Sequence, residues 1–304
     1  MGLVAVLGAG VMGETLLSGL LRSGRRATEL VVSERRPDRA AELAERYGVE
    51  VLSNVEAAAK ADTLVLVVTE RRPERAAELA ERYGVEVLSN VEAAAKADTL
   101  VLVVKPQDMA GLLDEIGPQV RPGALVVSLA AGITTAFVEQ RLADGTPVVR
   151  VMPNTPALVD EGMAAISPGS HCDEEHLAEA EALLRSVGHV VRVPEKQQDA
   201  VTAVSGSGPA YIFFVVEAMI EAGVHLGLPR ATANELVVQT AVGAAKMLRE
   251  TGEHPMVLRE NVTSPAGTTA AAVRELEDHK VRAAFLIALE AARDRSRALA
   301  SGQG

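Results

Sequence analysis

At 304 residues the chain has room for about two domains. Hydrophobic residues make up 48% and charged residues 23%, an ordinary globular balance that excludes collagenous, disordered and coiled-coil classes. Four Phe, three Tyr and no Trp leave few platforms for stacked bases, and a formal net charge of −11 repels polyanions, so nucleic-acid binding is not expected and any phosphate site must rest on a local basic cluster. The one cysteine, Cys172, excludes an internal disulfide, and the N-terminus lacks the basic flank and long apolar stretch of a signal peptide. No apolar run approaches the roughly 18 residues of a membrane span. A cytoplasmic protein without membrane contact is the expectation.

In chain order, Leu3 to Leu7 is a continuous apolar run, the pattern of a strand covered on both faces in a parallel sheet. It ends at Gly8-Ala9-Gly10. Met12, Leu16 and Leu20, with Leu17 and Leu21 beside them, then mark an apolar helical stripe that Gly24 terminates. Leu30 to Val32 reads as a second strand, Pro37 to Tyr47 as a helix, Val49 to Leu52 as a third strand and Thr63 to Val68 as a fourth. Residues 33–68 recur as 69–104, and of the 36 aligned pairs only Ser33/Thr69 and Asp38/Glu74 differ. Solenoids need about three or more units that diverge, so two near-identical copies read as a duplication whose surplus copy has no function of its own. Thr63 to Val68 and its twin Thr99 to Val104 compete for one interior position. A surplus leaving the sheet between about Val49 and Gly84 keeps Ser33 to Arg36 from the first copy and Lys105 after the second, away from the carboxyl edge where ligands bind.

Beyond the repeat, Leu125 to Leu129, Pro147 to Met152, Met163 to Ile166 and Val190 to Val193 are further strands, with a helix over Asp173 to Ser186. After Pro194 the patterning is helical only: to Val204, over Pro209 to Ala222, Ala231 to Glu250, from Pro255, after Gly267 and over Val281 to Leu299, with Gly223 and Gly252 as stops. Alternating strands and helices followed by helices alone imply an α/β Rossmann-like N-terminal domain over residues 1–196, carrying the tandem 36-residue duplication, and an all-α domain over 197–304.

Gly8-Ala9-Gly10-Val11-Met12-Gly13 fits G-x-G-x-x-G between a buried strand and an amphipathic helix. Gly8 permits the tight turn, Gly10 lets the backbone approach a pyrophosphate and Gly13 lets the helix lie close to the strand, so these glycines with Val11 and Met12 are the expected pyrophosphate site. At the end of the second strand, Ser33-Glu34-Arg35-Arg36 offers two signals. The carboxylate suits the ribose of NAD, whereas Ser33 with the guanidinium groups of Arg35 and Arg36 suits the 2′-phosphate of NADP. The need for a local basic cluster favours NADPH over NADH, with Thr69-Glu70-Arg71-Arg72 as a competing copy, and solvated arginines ahead of a helix are the plainer alternative. Lys105 and Pro106 stand at the carboxyl edge after the last repeated strand and are further cofactor candidates. The loops Ser128 to Thr134 and Met152 to Pro156 end strands at that edge, and either border the nicotinamide or serve as turns.

In the helical half, Asn261 to Thr269 precedes a helix marked by Val273 and Leu276. Small residues leave its N–H groups accessible and Ser264, Thr268 and Thr269 add hydroxyls, so it reads either as a carboxylate cradle or as an ordinary helix cap. His171, Cys172, Glu175 and His176 read as the start of a solvated helix, and no metal is expected. Ser205 to Pro209 lacks the G-x-S-x-G pattern and reads as a helix break.

Through Gly8 to Glu14, Val104 to Gln107, Arg150 to Pro156, Ala203 to Tyr211 and Asn261 to Thr269, the chain resembles the Δ1-pyrroline-5-carboxylate reductase family over essentially its whole length apart from the surplus copy. The resemblance implies reduction of the cyclic imine 1-pyrroline-5-carboxylate to L-proline, the last step of proline biosynthesis, with NADPH or NADH. It implies a homodimer interlocked through the helical domain, often assembling further into decamers. It also implies that Ser264, Ala266, Gly267, Thr268 and Thr269 hold the substrate carboxylate, with Thr269 the catalytic hydroxyl placed to hydrogen-bond the ring nitrogen. The family's loop usually has two glycines after Pro265, whereas Ala266 precedes Gly267 here, a departure that is mild at negative φ and costly at positive φ. The chemistry agrees, because a preformed imine needs a hydride and a proton but neither a metal nor a covalent nucleophile. Two other readings stay open: another NAD(P)-dependent hydroxyacid or imine dehydrogenase, and a non-catalytic dinucleotide-binding protein disabled by the duplication.

Overall fold

The structure, a computed structural model, describes residues 4–7, 11–23, 30–32, 68–69 and 87–300. Residues 1–206 with 293–304 form one compact unit and residues 207–292 a second.

In the first unit β1 (Val4–Leu7) is followed by α1 (Val11–Arg22), β2 (Leu30–Val32), β3 (Val68–Thr69), β4 (Val87–Leu88), α2 (Asn90–Lys96) and β5 (Thr99–Leu102). Next come α3 (Pro106–Ile116), β6 (Leu125–Ser128), α4 (Thr135–Glu139), β7 (Val148–Met152), β8 (Gly162–Pro168), α5 (Glu174–Leu184) and β9 (Gly188–Arg192). Seven strands form one sheet in the order β2-β1-β5-β6-β7-β8-β9, and β3 pairs with β4 in a separate ladder. From β2 to β7 every pairing is parallel, as the apolar run of β1 anticipates, and all residues of β5 and β6 are buried. β8 turns back antiparallel to β7, because the connection over residues 153–161 is shorter than the dozen or so residues a parallel crossover takes. Leu16 and Leu20, two positions of the α1 stripe, are buried in one core with Leu100, Leu102, Met109 and Leu113.

Among the described residues, the second copy supplies a strand of the main sheet and the first copy only Val68. β1 pairs on one side with Leu30–Val32, just ahead of the first copy, and on the other with Thr99–Leu102 of the second, which takes the contested interior position. Of the expected strand Thr63 to Val68 only Val68 lies among the described residues, and with Thr69 it pairs to Val87 and Leu88. The expected helix Pro37 to Tyr47 and strand Val49 to Leu52 lie outside them. Leu66-Val67-Val68 repeats the letters of Leu30-Val31-Val32. Two tasks that one strand performs in a single-copy sheet, pairing with β1 on one edge and with the next strand on the other, are thus divided between two copies of one segment. Deleting residues 49–84 reunites them on Leu30 to Val32. The expected outcome is an active protein whose melting temperature is equal or higher, by about 2–4 °C for each kcal/mol gained, measured by calorimetry. A lower melting temperature would show the second copy to be integral to the sheet.

The change of period after Pro194 begins inside the first unit, with a 3₁₀ turn over Glu195–Gln197, α6 (Gln198–Val201) and a π turn over Thr202–Gly206. The second unit contains α7 (Gly208–His225), α8 (Arg230–Thr251), α9 (Pro255–Asn261), α10 (Thr268–Asp278) and most of α11 (Val281–Ala300). Pro209 and Pro255 stand in first turns, where a missing N–H loses nothing. Gly223 is not the expected stop: α7 runs through it to His225, and a Cβ there would lie 3.1 Å from that of Ala233, so its small size serves the approach of α8. The chain turns instead at Gly227, with φ 97°. The run Glu195–His225 also corrects the expectation about membrane spans. An 18-residue window of mean hydropathy 1.4 makes it long and apolar enough to cross a membrane by length and composition, since an average tolerates polar residues that interrupt any single apolar run. Among the second unit's residues only Ala233 is buried, while Phe214 is 71% and Leu226 81% exposed.

Candidate functional site

The carboxyl ends of β1, β5, β6 and β7 lie along one edge of the sheet. β1 has β2 on one side and β5 on the other, so the strand order reverses beside it, which is the switch point where open α/β sheets bind ligands. α1 starts at Val11, four positions after β1 ends at Leu7, so Val11, Met12 and Gly13 form a first helical turn whose N–H groups have no acceptor within the helix. A strand end and a helix start at a switch point fit the pyrophosphate of a dinucleotide. Gly8, Gly10, Ser33, Arg35 and Arg36 lie outside the described residues. Lys105 is the exposed N-cap of α3 and Pro106 its first residue, both beyond the carboxyl end of β5.

Three residues to which the sequence assigned no role, Arg150, Glu195 and Thr135, organise this edge together with Asn154 of the expected loop Met152 to Pro156. Arg150, in the otherwise apolar β7, is buried, and its Nη1 lies 3.3 Å from Glu195 Oε1. That carboxylate also accepts from the Thr135 N–H (2.8 Å) and hydroxyl (2.9 Å). Asn154 donates to the Ser205 carbonyl (3.1 Å) and accepts from the Met163 N–H (2.8 Å), tying the loop after β7 to the π turn. An arginine within a run of valines was the available signal, because a buried cation needs a counter-charge.

The His171 to His176 segment is a helix start. Asp173 caps α5 by accepting from the N–H groups of Glu175 and His176, and the His176 ring accepts in return from the Asp173 N–H. The His176 N–H holds the Asp173 carboxyl below its ordinary pKa, and burial pushes the Cys172 thiol up, away from the thiolate that ligates metals.

In the second unit, the Gly267 N–H donates to the Ser264 carbonyl (3.0 Å) with Pro265 and Ala266 between them. Proline at the second position and φ 58° at the third are the marks of a type II turn. The departure at Ala266 is therefore the costly kind. Gly267 has no such freedom to spare, because a Cβ there would collide with the Ser264 hydroxyl. Gly267 is the N-cap of α10 and no side chain caps the helix, so the loop is not the ordinary Ser/Thr cap. The first helical bond runs from the Ala271 N–H to the Gly267 carbonyl (3.1 Å), which leaves the N–H groups of Thr268, Thr269 and Ala270 without an acceptor in the helix. Ser264 and Thr268 are exposed and Thr269 is half-buried. Ala266→Gly is expected to raise stability by about 0.5–1 kcal/mol, the relief of a left-handed L-residue less the extra chain entropy of glycine. Thermal unfolding measures it, and an unchanged or lower melting temperature would mean the turn carries no strain.

The chain matches the family model of pyrroline-5-carboxylate reductase dimerisation over residues 195–299. It matches the model of NADP oxidoreductase, coenzyme F420-dependent, twice, over 3–69 and 65–132, once through each copy of the repeat. A pyrroline-5-carboxylate reductase of Corynebacterium melassecola is 44% identical over 300 residues, covering 97% of this chain and 98% of the relative. Among solved structures, a pyrroline-5-carboxylate reductase from Coxiella burnetii is similar with TM-score 0.81 and 34% identity, covering 98% of both chains. The pyrroline carboxylate reductase of Plasmodium falciparum with NADP bound is similar with TM-score 0.75 and 25% identity, again over 98% of both.

Proposed function

The chain belongs to the pyrroline-5-carboxylate reductase family, and on that premise we propose how its residues divide the reduction of 1-pyrroline-5-carboxylate to L-proline, the last step of proline biosynthesis. When bound, NADPH supplies the hydride. Residues 1–196 bind the dinucleotide, and residues 197–304 bind the imine and dimerise. The observation that carries the substrate site is the uncapped start of α10: three N–H groups and the positive end of the helix face a carboxylate, joined by the Ser264 and Thr268 hydroxyls on the turn that Ala266 and Gly267 shape. Thr269 donates its hydroxyl to the ring nitrogen as the imine is reduced.

On the other side of the reaction, the first turn of α1 with Gly8 and Gly10 holds the pyrophosphate, and Lys105 and Pro106 border the cofactor at the end of β5. Ser33, Arg35 and Arg36 follow β2 and read the 2′-phosphate. Replacing both arginines with Ala is expected to weaken NADPH about ten-fold or more relative to NADH, the loss of charge-assisted hydrogen bonds. Equal losses for the two cofactors would pass the role to Arg71 and Arg72.

The chain self-associates through the segment matched by the dimerisation family. Assembly of dimers into a decamer and a cytoplasmic location belong to the same reading, and light scattering measures the first. The decisive assay follows NADPH oxidation with 1-pyrroline-5-carboxylate. Oxidation with a keto acid but not with the imine would favour a hydroxyacid dehydrogenase, and binding without turnover a non-catalytic protein.

A further inference from the structure

We infer that Glu195 is a positioning residue for the nicotinamide half of the cofactor, an inference that rests on the dinucleotide reading of the sheet's carboxyl edge. Glu195 opens the helical run, and its carboxylate meets β7 and the start of α4 within the same α/β unit. Both oxygens are held by Thr135, through the N–H at 2.8 Å and the hydroxyl at 2.9 Å, and Arg150 Nη1 stands 3.3 Å from the first. Thr135 is the first residue of α4, immediately after the loop Leu129 to Thr134 that leaves β6. The loop is therefore fixed at both ends. At its start the Leu129 N–H donates to the Leu102 carbonyl of β5 (2.9 Å), and at its finish Thr135 is clamped by Glu195.

The clamp is not needed to start the helix. Thr134 already caps α4 through a hydrogen bond from the Phe137 N–H (3.2 Å). Stability alone does not call for the pair of buried Arg150 and half-buried Glu195, since replacing both partners of such a pair by apolar residues of similar volume commonly costs nothing. What it does set is the place of residues 129–134. With the pyrophosphate on the first turn of α1 and the adenosine half directed over β2, the other half of a dinucleotide runs the opposite way, over β5 and then β6. The loop held by Glu195 stands at the end of that path.

The experiment titrates two probes into the full chain by isothermal titration calorimetry, NADPH and an adenosine bisphosphate that carries the 2′-phosphate but lacks the nicotinamide half. The variants are Thr135→Val, which removes only the hydroxyl, and Arg150→Met with Glu195→Leu, which removes both charges. The expected result in both is a Kd for NADPH weakened about five-fold or more with the adenosine probe unchanged, and a melting temperature of the double variant close to wild type. Equal weakening of the two probes, or no change in either, overturns the inference, because a merely structural pair disturbs both halves or neither. If the double variant does not fold, the Thr135→Val titrations decide in the same way. Turnover of the imine by the wild-type chain is measured separately. Its absence would sink the reductase reading while leaving the comparison of probes intact.

Discussion

Replacing Thr269 with alanine is expected to lower kcat about a hundred-fold, the usual loss when one donor aimed at developing charge is removed, with a far smaller change in the affinity for NADPH. Thr269 is the second residue of α10 and half-buried, beside N–H groups that no helical carbonyl takes up. Hydride addition to the imine carbon shifts electrons onto the ring nitrogen, so a hydroxyl there acts more strongly in the transition state than on the bound substrate, which places the loss in kcat. Thr269→Ser keeps the hydroxyl and is expected to keep most of the rate. Steady-state kinetics with 1-pyrroline-5-carboxylate decide it, and an unchanged kcat in the alanine variant would remove Thr269 from the mechanism.

Phe214→Glu is expected to dissociate the protein into monomers of greatly reduced stability. The second unit buries only Ala233 by itself, and Phe214 on α7 is 71% exposed in a single chain. Helices that leave such side chains in water must bury them against another surface, and the dimerisation family covers this segment. A phenylalanine buried at an interface contributes about 1.5–3 kcal/mol, and in a symmetric dimer each substitution counts twice, so the loss of about 3–6 kcal/mol weakens association by roughly two to four orders of magnitude. Burying a carboxylate adds to the penalty. Analytical ultracentrifugation reads the mass. A variant that remains dimeric at micromolar concentration would place the interface elsewhere on the helical unit.

Much of the fold is written locally. Apolar runs announced β1, β5 and β6, the four-residue stripe announced α1, and the first-turn prolines announced α7 and α9, because strand burial, helix periodicity and proline geometry depend on near neighbours in the chain. The small-residue loop ahead of α10 was legible for the same reason.

Other features depend on which segments meet. Leu30 to Val32 and Leu66 to Val68 have the same letters, so no local rule can say that one pairs with β1 while Val68, with Thr69, pairs with β4. The reversal of β8 follows from the shortness of its connection and from the partner it finds in β7. The positive φ of Ala266 is imposed by the closing bond of its turn, against the preference of alanine itself. The Arg150, Glu195 and Thr135 cluster joins residues far apart in sequence. By itself the sequence determined most of the elements, the glycine and small-residue motifs, and the family they resemble. Only the tertiary structure decided the strand pairings, the strained turn and the charge cluster, since each depends on pairing energies between distant segments that local patterns do not contain.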